Sequence, residues 1–436
     1  MPIANLGTQK TDSSQGLSFN VYAGVCFVCL LIQIFFSQYL GARNIGGLFA
    51  VSDDAPSLVK FAVSRYSPVI GQHYFGDLLT THSNFPDSYF GLSYIFHWLT
   101  KGFSYKIVFI LFVLVGVIVC ALSIKRWLEI VTDDQKNMVY ALHFSYPFVF
   151  AADRGQIHLL IGYLFALGLS FVVKTQGDEK VLARGQLALG AAFSMKLYPS
   201  IVFAFFPRFW LLQRWKVLIS SLIGLIVISS FSSQDKFRTF IRFRSTEISY
   251  NKSEYFSGTL PFNTSLKALI YNYQSLNFGL FVKMFDFLFQ NYFMVYLVYA
   301  SVAFVFMQGK NIQSHERLLA GAIISISIAP IAAVYCQTIV AVCALWSLTC
   351  NQFVSNLRRR LYVLVVLISV VPFNIPIKPN PMDRWGFQST IVPFAQHAYV
   401  VTMCVVAAVG YLSRRRNRLR IKNCEFFLRN DRLSLF

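Results

Sequence analysis

The chain alternates apolar runs with short polar stretches in which basic residues collect. An apolar helix of roughly 20 residues is what a hydrocarbon core of about 30 Å requires. Read this way, the sequence predicts about twelve spans, over 19–40, 107–124, 136–152, 157–174, 183–197, 198–213, 216–232, 286–307, 317–334, 336–350, 361–377 and 391–412. The expected fold class is therefore an all-α polytopic membrane protein, a single transmembrane domain over 1–436. Val21 to Phe36 follows a polar start and reads as a retained first helix, not a cleaved signal, because so many spans follow it.

The polar stretches orient these spans. With the N-terminus inside, the cytoplasmic segments gather Lys125/Arg126, Lys174/Lys180/Arg184, Arg208/Arg214/Lys216, Lys310/Arg317, Arg358/Arg359/Arg360 and the tail Arg414/Arg415/Arg416/Arg418/Arg420/Lys422. Both termini are then expected in the cytoplasm and the chain in the plasma membrane. Two segments on the opposite side, Gly41 to Lys106 and Ser233 to about Phe285, are too long for simple turns. Each is expected to carry an interfacial helix: Tyr89 to Leu99 in the first, and FRTFIRFRSTEISYNKSEYF in the second.

Composition narrows the class further. The 436 residues are 56% hydrophobic and 17% aromatic, with only 13% charged, about half the charged share of a soluble globular protein. A mean hydropathy of +0.53 over the whole length excludes an ordinary soluble enzyme, a disordered chain and a coiled coil. Lys and Arg number 39 against 19 acids, a net charge of +20. In a membrane chain that excess is first an orientation signal, so the basic cytoplasmic tail over 413–436 reads as an anchor on anionic lipid and not as a nucleic-acid site. The eight cysteines lie almost wholly within apolar runs, so Cys26-x-x-Cys29 reads as small packing residues, not a redox or zinc pair.

The first long loop concentrates Asp53, Asp54, Asp77 and Asp87 just outside the first span. A carboxylate at a membrane face can take the proton of an acceptor hydroxyl, as one Asp or Glu does in inverting glycosyl transfer. Asp53 and Asp54 also precede Ala55-Pro56, a strong helix-start signal, so capping is the structural alternative. Next comes Asp153-Arg154-Gly155-Gln156-Ile157-His158 between two apolar runs, where a charged pair is costly unless paired or functional. Either an Asp153–Arg154 bridge turns a tight hairpin, or Arg154 and Gln156 face a lipid phosphate.

Lys196 sits at the next junction, Ser194-Met195-Lys196-Leu197-Tyr198-Pro199, with no carboxylate close in sequence. It either snorkels to the interface or meets a phosphate, while Pro199 is placed to start the following helix. Arg238, Arg242, Arg244 and Lys252 lie in the second external loop, where the positive-inside rule predicts few cations. They call for an anion: a lipid-linked phosphate, or the headgroups of the membrane itself. Asn251-Lys-Ser and Asn263-Thr-Ser match the N-glycosylation pattern. The seven histidines show no metal spacing, and neither a Walker loop, GxGxxG, GxSxG nor HExxH occurs, so nucleotide-dependent chemistry and a dedicated metal site lack support.

The stretch RGQIHLLIGYLFALGLSFVVKTQGDEKVLARGQLALGAAFSMKLYPSIVFAFFPRFWLLQRWK resembles glycosyltransferase family 87, the DUF2029 group of bacterial GT-C membrane enzymes. The likeness is carried by the order Gly-Gln, helix, short turn, small-residue helix, Lys-x-Tyr-Pro, helix, basic turn. HYFGDLLTTHSNFPDSY and PFNTSL (261–266) are also similar to external loops of that family, and 150–350 is the most similar region. The resemblance implies a GT-C-like bundle and transfer of mannose, arabinofuranose or a related sugar from a polyprenyl-phosphate donor to a glycolipid or glycan hydroxyl of the cell envelope. It implies that Asp53 or Asp54 is the base, and that Arg154, Gln156 and Lys196 place the donor; the reading of the residues adds Tyr198, Arg242 and Arg244 as phosphate partners and Asp77, Asp153 and His158 as further candidates. The tandem Asp53-Asp54 leaves the base undivided between the two, and His158 stands where a small polar residue such as Asn is expected. No cofactor is required, although a divalent ion is compatible with the chemistry. Two rival readings use the same residues: a transporter or flippase of a lipid-linked sugar, and a structural membrane subunit in which Asp153, Arg154 and Lys196 pair with one another.

Overall fold

A computed structural model of the chain describes residues 105–153, 158–174, 179–195, 198–205, 266–267, 269–270, 282–328, 334–349, 353–370 and 387–433. All regular elements among these residues are helical, as an all-α fold requires. The predicted spans over 19–40 and 216–232, the first long loop and most of the second, with both expected interfacial helices, lie outside the described residues.

The elements are α1 (Tyr105–Leu128), α2 (Lys136–His143), α3 (Tyr146–Asp153), α4 (His158–Lys174), α5 (Glu179–Met195), α6 (Val282–Gln290), α7 (Tyr292–Met307), α8 (Ser314–Ser327), α9 (Thr338–Ser347), α10 (Asn356–Val370) and α11 (Phe387–Leu433). A 3-10 turn over Asp133–Gln135 precedes α2, and two longer 3-10 helices, Tyr198–Phe205 the first and Val334–Gln337 the second, link later elements. Several predicted spans are divided or shifted. The run over 136–152 becomes α2 and α3, because the chain turns at Phe144-Ser145, where the Ser145 hydroxyl donates to the Leu142 carbonyl at 2.8 Å. Pro147 follows in the first turn of α3, where its missing N–H costs nothing. The run over 286–307 breaks at Asn291, whose Nδ2 donates to the Phe287 carbonyl at 2.9 Å. Pro199 starts a tight 3-10 helix in place of the α-helix expected there. The last span continues unbroken into the basic tail, so α11 reaches Leu433.

α4 sits between α1 and α5, with α9 packed across it. Small residues set that spacing. A Cβ on Gly168 would lie 2.5 Å from Leu189 Cγ and 3.0 Å from the Leu189 backbone nitrogen, so α4 and α5 touch nearly backbone to backbone. Close contact between small residues is how apolar helices associate when the surroundings are equally apolar. α8 and α9 form the inner layer, with nearly every residue of both buried. Phe205 of the first 3-10 helix seats against Gly321 of α8.

The outer helices reverse the usual pattern of a soluble fold. Val117 and Ile118 on α1, Phe293, Val298 and Val305 on α7, and Val401, Val405 and Val409 on α11 are all exposed, most of them by more than half. Isolated exposed apolar residues are ordinary, but stripes repeated on three helices are not. Among the described residues one helix, Ile391–Arg416, is long and apolar enough to cross a membrane, and His158–Val173, Tyr292–Met307 and Thr338–Ser347 are shorter apolar helices.

One end of the bundle is fastened by charge. The polar turn between α7 and α8 meets the start of α10 and the middle of α11. Arg358 Nε donates to Glu316 Oε1 at 2.7 Å, and its Nη2 pairs with Glu316 Oε2. Nη1 of the same arginine donates to the Asn311 carbonyl at 3.0 Å. Asn311 in turn donates through Nδ2 to the Val406 carbonyl at 2.7 Å and accepts from Arg414 at 3.1 Å. Gly410 makes room for this, since a Cβ there would lie 2.7 Å from Asn311 Cγ. Arg317 caps the turn on the carbonyls of Gly309 and Ile312. His315 is enclosed by the rings of Phe353 and Tyr362, at 4.4 and 5.3 Å between centroids.

Candidate functional site

At the opposite end of these helices a seam of uncharged polar side chains runs through the apolar interior. It begins where α3 ends at Asp153 and α4 begins at His158. A helix C-terminus disfavours a carboxylate, so Asp153 occupies the costly end of α3. The four residues that join the two helices, Arg154 and Gln156 among them, lie outside the described residues, as do Asp53, Asp54, Asp77, Lys196, Arg242 and Arg244.

Two of the expected site residues are brought together. His158 is 1% exposed and its ring lies 5.8 Å from that of Tyr198, the first residue of the 3-10 helix after α5. α4 thus leaves this end of the bundle and α5 returns to it. His158 Nε2 also faces Cys336 Sγ at 3.6 Å. Cys336 belongs to the second 3-10 helix, which packs against α3, α4 and α9. Cys120, Cys336, Cys343 and Cys404 are free thiols.

From Cys336 the seam passes to residues whose role the sequence reading missed. Gln396 of α11 donates from Nε2 to Gln337 Oε1 at 2.6 Å and to Ser369 Oγ at 2.8 Å, joining α11 to the end of the Val334–Gln337 3-10 helix and to α10. The Ser369 hydroxyl passes its own proton to the Val365 carbonyl at 2.7 Å. Next in sequence, His397 receives the Tyr299 hydroxyl on Nδ1 at 2.9 Å and meets Ser327 Oγ through Nε2 at 3.2 Å. Ser327 spends its proton on the Ile323 carbonyl at 2.7 Å. With the Ser327 proton on Ile323, the imidazole proton sits on Nε2, pointing at Ser327, and Nδ1 accepts from Tyr299. The Tyr292 hydroxyl donates to the Ser327 carbonyl and also meets the backbone of Lys267.

Lys267, from the second long loop, is 5% exposed, and burial lowers its ammonium from the usual lysine range to about 8. Otherwise the described seam supplies hydroxyl, amide, imidazole and thiol groups, able to donate to and accept from a hydroxyl-rich or phosphate-bearing ligand. Among the described residues no three of His, Cys, Asp and Glu come together as metal ligands would. A signal for the missed part was present: Gln396-His397 interrupts the apolar run over 391–412, and Gln337 the run over 336–350. Polar residues deep in such runs are costly and mark pathways or sites.

Comparison of the chain with protein-family models, curated proteins and solved structures returns no match.

Proposed function

We propose that this chain is a multi-pass glycosyltransferase of the plasma membrane that moves a hexose or pentose, mannose or arabinofuranose in the first instance, from a polyprenyl-phosphate donor to a hydroxyl of an envelope glycolipid or glycan. The observation that carries the reading is the polar seam at one end of an apolar bundle, beginning at the His158–Tyr198 contact and flanked in sequence by Arg154, Gln156 and Lys196. Exposed apolar stripes on α1, α7 and α11 suit acyl or prenyl chains around the bundle. On this reading the seam lies at the extracytoplasmic face, and the Arg358 end and both termini lie in the cytoplasm.

The reaction follows from the residue types. The acceptor oxygen attacks the anomeric carbon as the carbon–oxygen bond to the donor phosphate breaks, with inversion. The acceptor proton passes to the carboxylate of Asp53 or Asp54. Polyprenyl phosphate leaves as an anion, and Arg154, Lys196, Tyr198, Arg242 and Arg244 stabilise the charge that builds on it. The test is transfer from radiolabelled polyprenyl-phosphate sugars by the protein in lipid, followed by thin-layer chromatography. Transfer that disappears in D53A/D54A supports the proposal, and full activity in that double variant ends the role of the first loop.

A second reading, a flippase or transporter of a lipid-linked sugar, draws on the inward run of the seam along Ser327, His397 and Tyr299. It predicts labelled lipid crossing between leaflets with no new glycoside formed.

A further inference from the structure

Histidines apart, three charged side chains are buried among the described residues: Glu316 and Arg358, which pair with one another, and Lys267 at the opposite end of the bundle. Leu269 and Ile270, just after Lys267, are buried too, so this part of the second long loop enters the bundle. The backbone of Lys267 meets the Tyr292 hydroxyl, which in turn donates to the Ser327 carbonyl. Ser327 meets His397, the neighbouring Gln396 meets Gln337, and Cys336 beside it faces His158. Lys267 therefore stands at one limit of the polar seam, and the His158–Tyr198 contact stands at the other.

A buried ammonium is expensive. It has left the water that solvates it for surroundings that return little, and a chain keeps such a group in an apolar bundle where it has a charge to meet. Burial lowers Lys267 to about 8, which leaves it largely protonated at neutral pH. Its charge has the sign that a departing phosphate requires. The groups that follow it along the seam, hydroxyl, imidazole and amide, both donate to and accept from sugar hydroxyls. Among the described residues the titratable groups it faces are Tyr292 of α7 and, past Ser327, His397 of α11.

We propose, resting on the glycosyltransferase reading, that Lys267 binds the phosphate of the polyprenyl-phosphate donor and of the polyprenyl phosphate that leaves. Undecaprenyl phosphate and undecaprenol share a tail and differ in the phosphate, and their dissociation constants for the full-length protein in detergent are compared by microscale thermophoresis. The unaltered protein prefers the phosphate. K267Q lowers that preference by about 10- to 100-fold, the worth of one charge-assisted hydrogen bond, and K267R, which keeps the charge, lowers it by far less. Raising the pH through about 8 takes the proton from Lys267 and weakens phosphate binding. In K267R, whose guanidinium stays charged, that alkaline fall is absent.

Equal affinity of the unaltered protein for the two lipids overturns the proposal, and so does an unchanged preference in K267Q or an alkaline fall that persists in K267R. Should the variants fail to fold, the unaltered protein decides, and no alkaline fall contradicts the site. Transfer from a radiolabelled polyprenyl-phosphate sugar is followed beside the binding series. No transfer by the unaltered protein, with a phosphate preference that still depends on Lys267, defeats the glycosyltransferase reading and leaves the phosphate site standing.

Discussion

The two ends of the bundle are held by opposite means. At the Arg358 end a buried carboxylate and guanidinium, tied to Asn311, lock three helices. At the His158 end the helices meet through hydrogen bonds among amides, hydroxyls and imidazoles. A buried ion pair is unforgiving of the loss of one partner, whereas neutral hydrogen bonds exchange partners at about 1 kcal/mol each. The charged end is suited to fixing the bundle, and the neutral end to admitting a polar ligand whose hydroxyls and phosphate replace those bonds.

The largest expected effect breaks the charged end. E316L leaves Arg358 buried without its counter-ion and costs about 3–5 kcal/mol, read as a fall in thermal melting in lipid. E316L/R358M restores most of that loss, because a well-packed apolar pair replaces the ion pair without the desolvation cost. Next is the close α4–α5 contact: G168A drives a Cβ into Leu189 and lowers stability by about 1–3 kcal/mol. A smaller change sharpens the contrast at the neutral end. Q396L removes two bonds, to Gln337 and Ser369, and costs about 1–3 kcal/mol as those partners lose their donor.

The charged end also contributes a pH dependence. Burial first, and the Arg358 guanidinium second, lower His315 to about 4 from its ordinary 6.5. Between those values the unfolded chain binds the proton and the folded chain does not, so stability falls as pH drops from 6.5 towards 4. The slope is about 1.4 kcal/mol per pH unit. H315F removes this contribution to the slope, and an unchanged slope in melting experiments at pH 4.5–6.5 removes His315 from the account.

Much of this contrast was legible in the sequence. Apolar runs located α1, α4, α5 and α9 near their observed bounds, because a run of that length has few ways to satisfy its backbone other than as a helix. The divisions at Ser145 and Asn291 escaped, since side-chain bonds to carbonyls one turn back reroute the chain without altering its hydropathy. Arg358 read as a charge on a loop, but it lies inside α10 and pairs with Glu316 across 42 positions, a partnership that no local pattern encodes. His158 and Tyr198 were each marked by a separate sequence junction, whereas their contact and its continuation through Gln337, Gln396 and His397 depend on which helices touch.

The central claim is that the neutral end performs chemistry and the charged end holds the fold. Its most direct test compares glycosyl transfer from labelled polyprenyl-phosphate donors by Y198F/H158Q and by E316L/R358M, each shown to be helical and membrane-inserted. The account predicts that the first pair loses transfer while the second retains it. Transfer preserved in Y198F/H158Q, or lost equally in both, would contradict it.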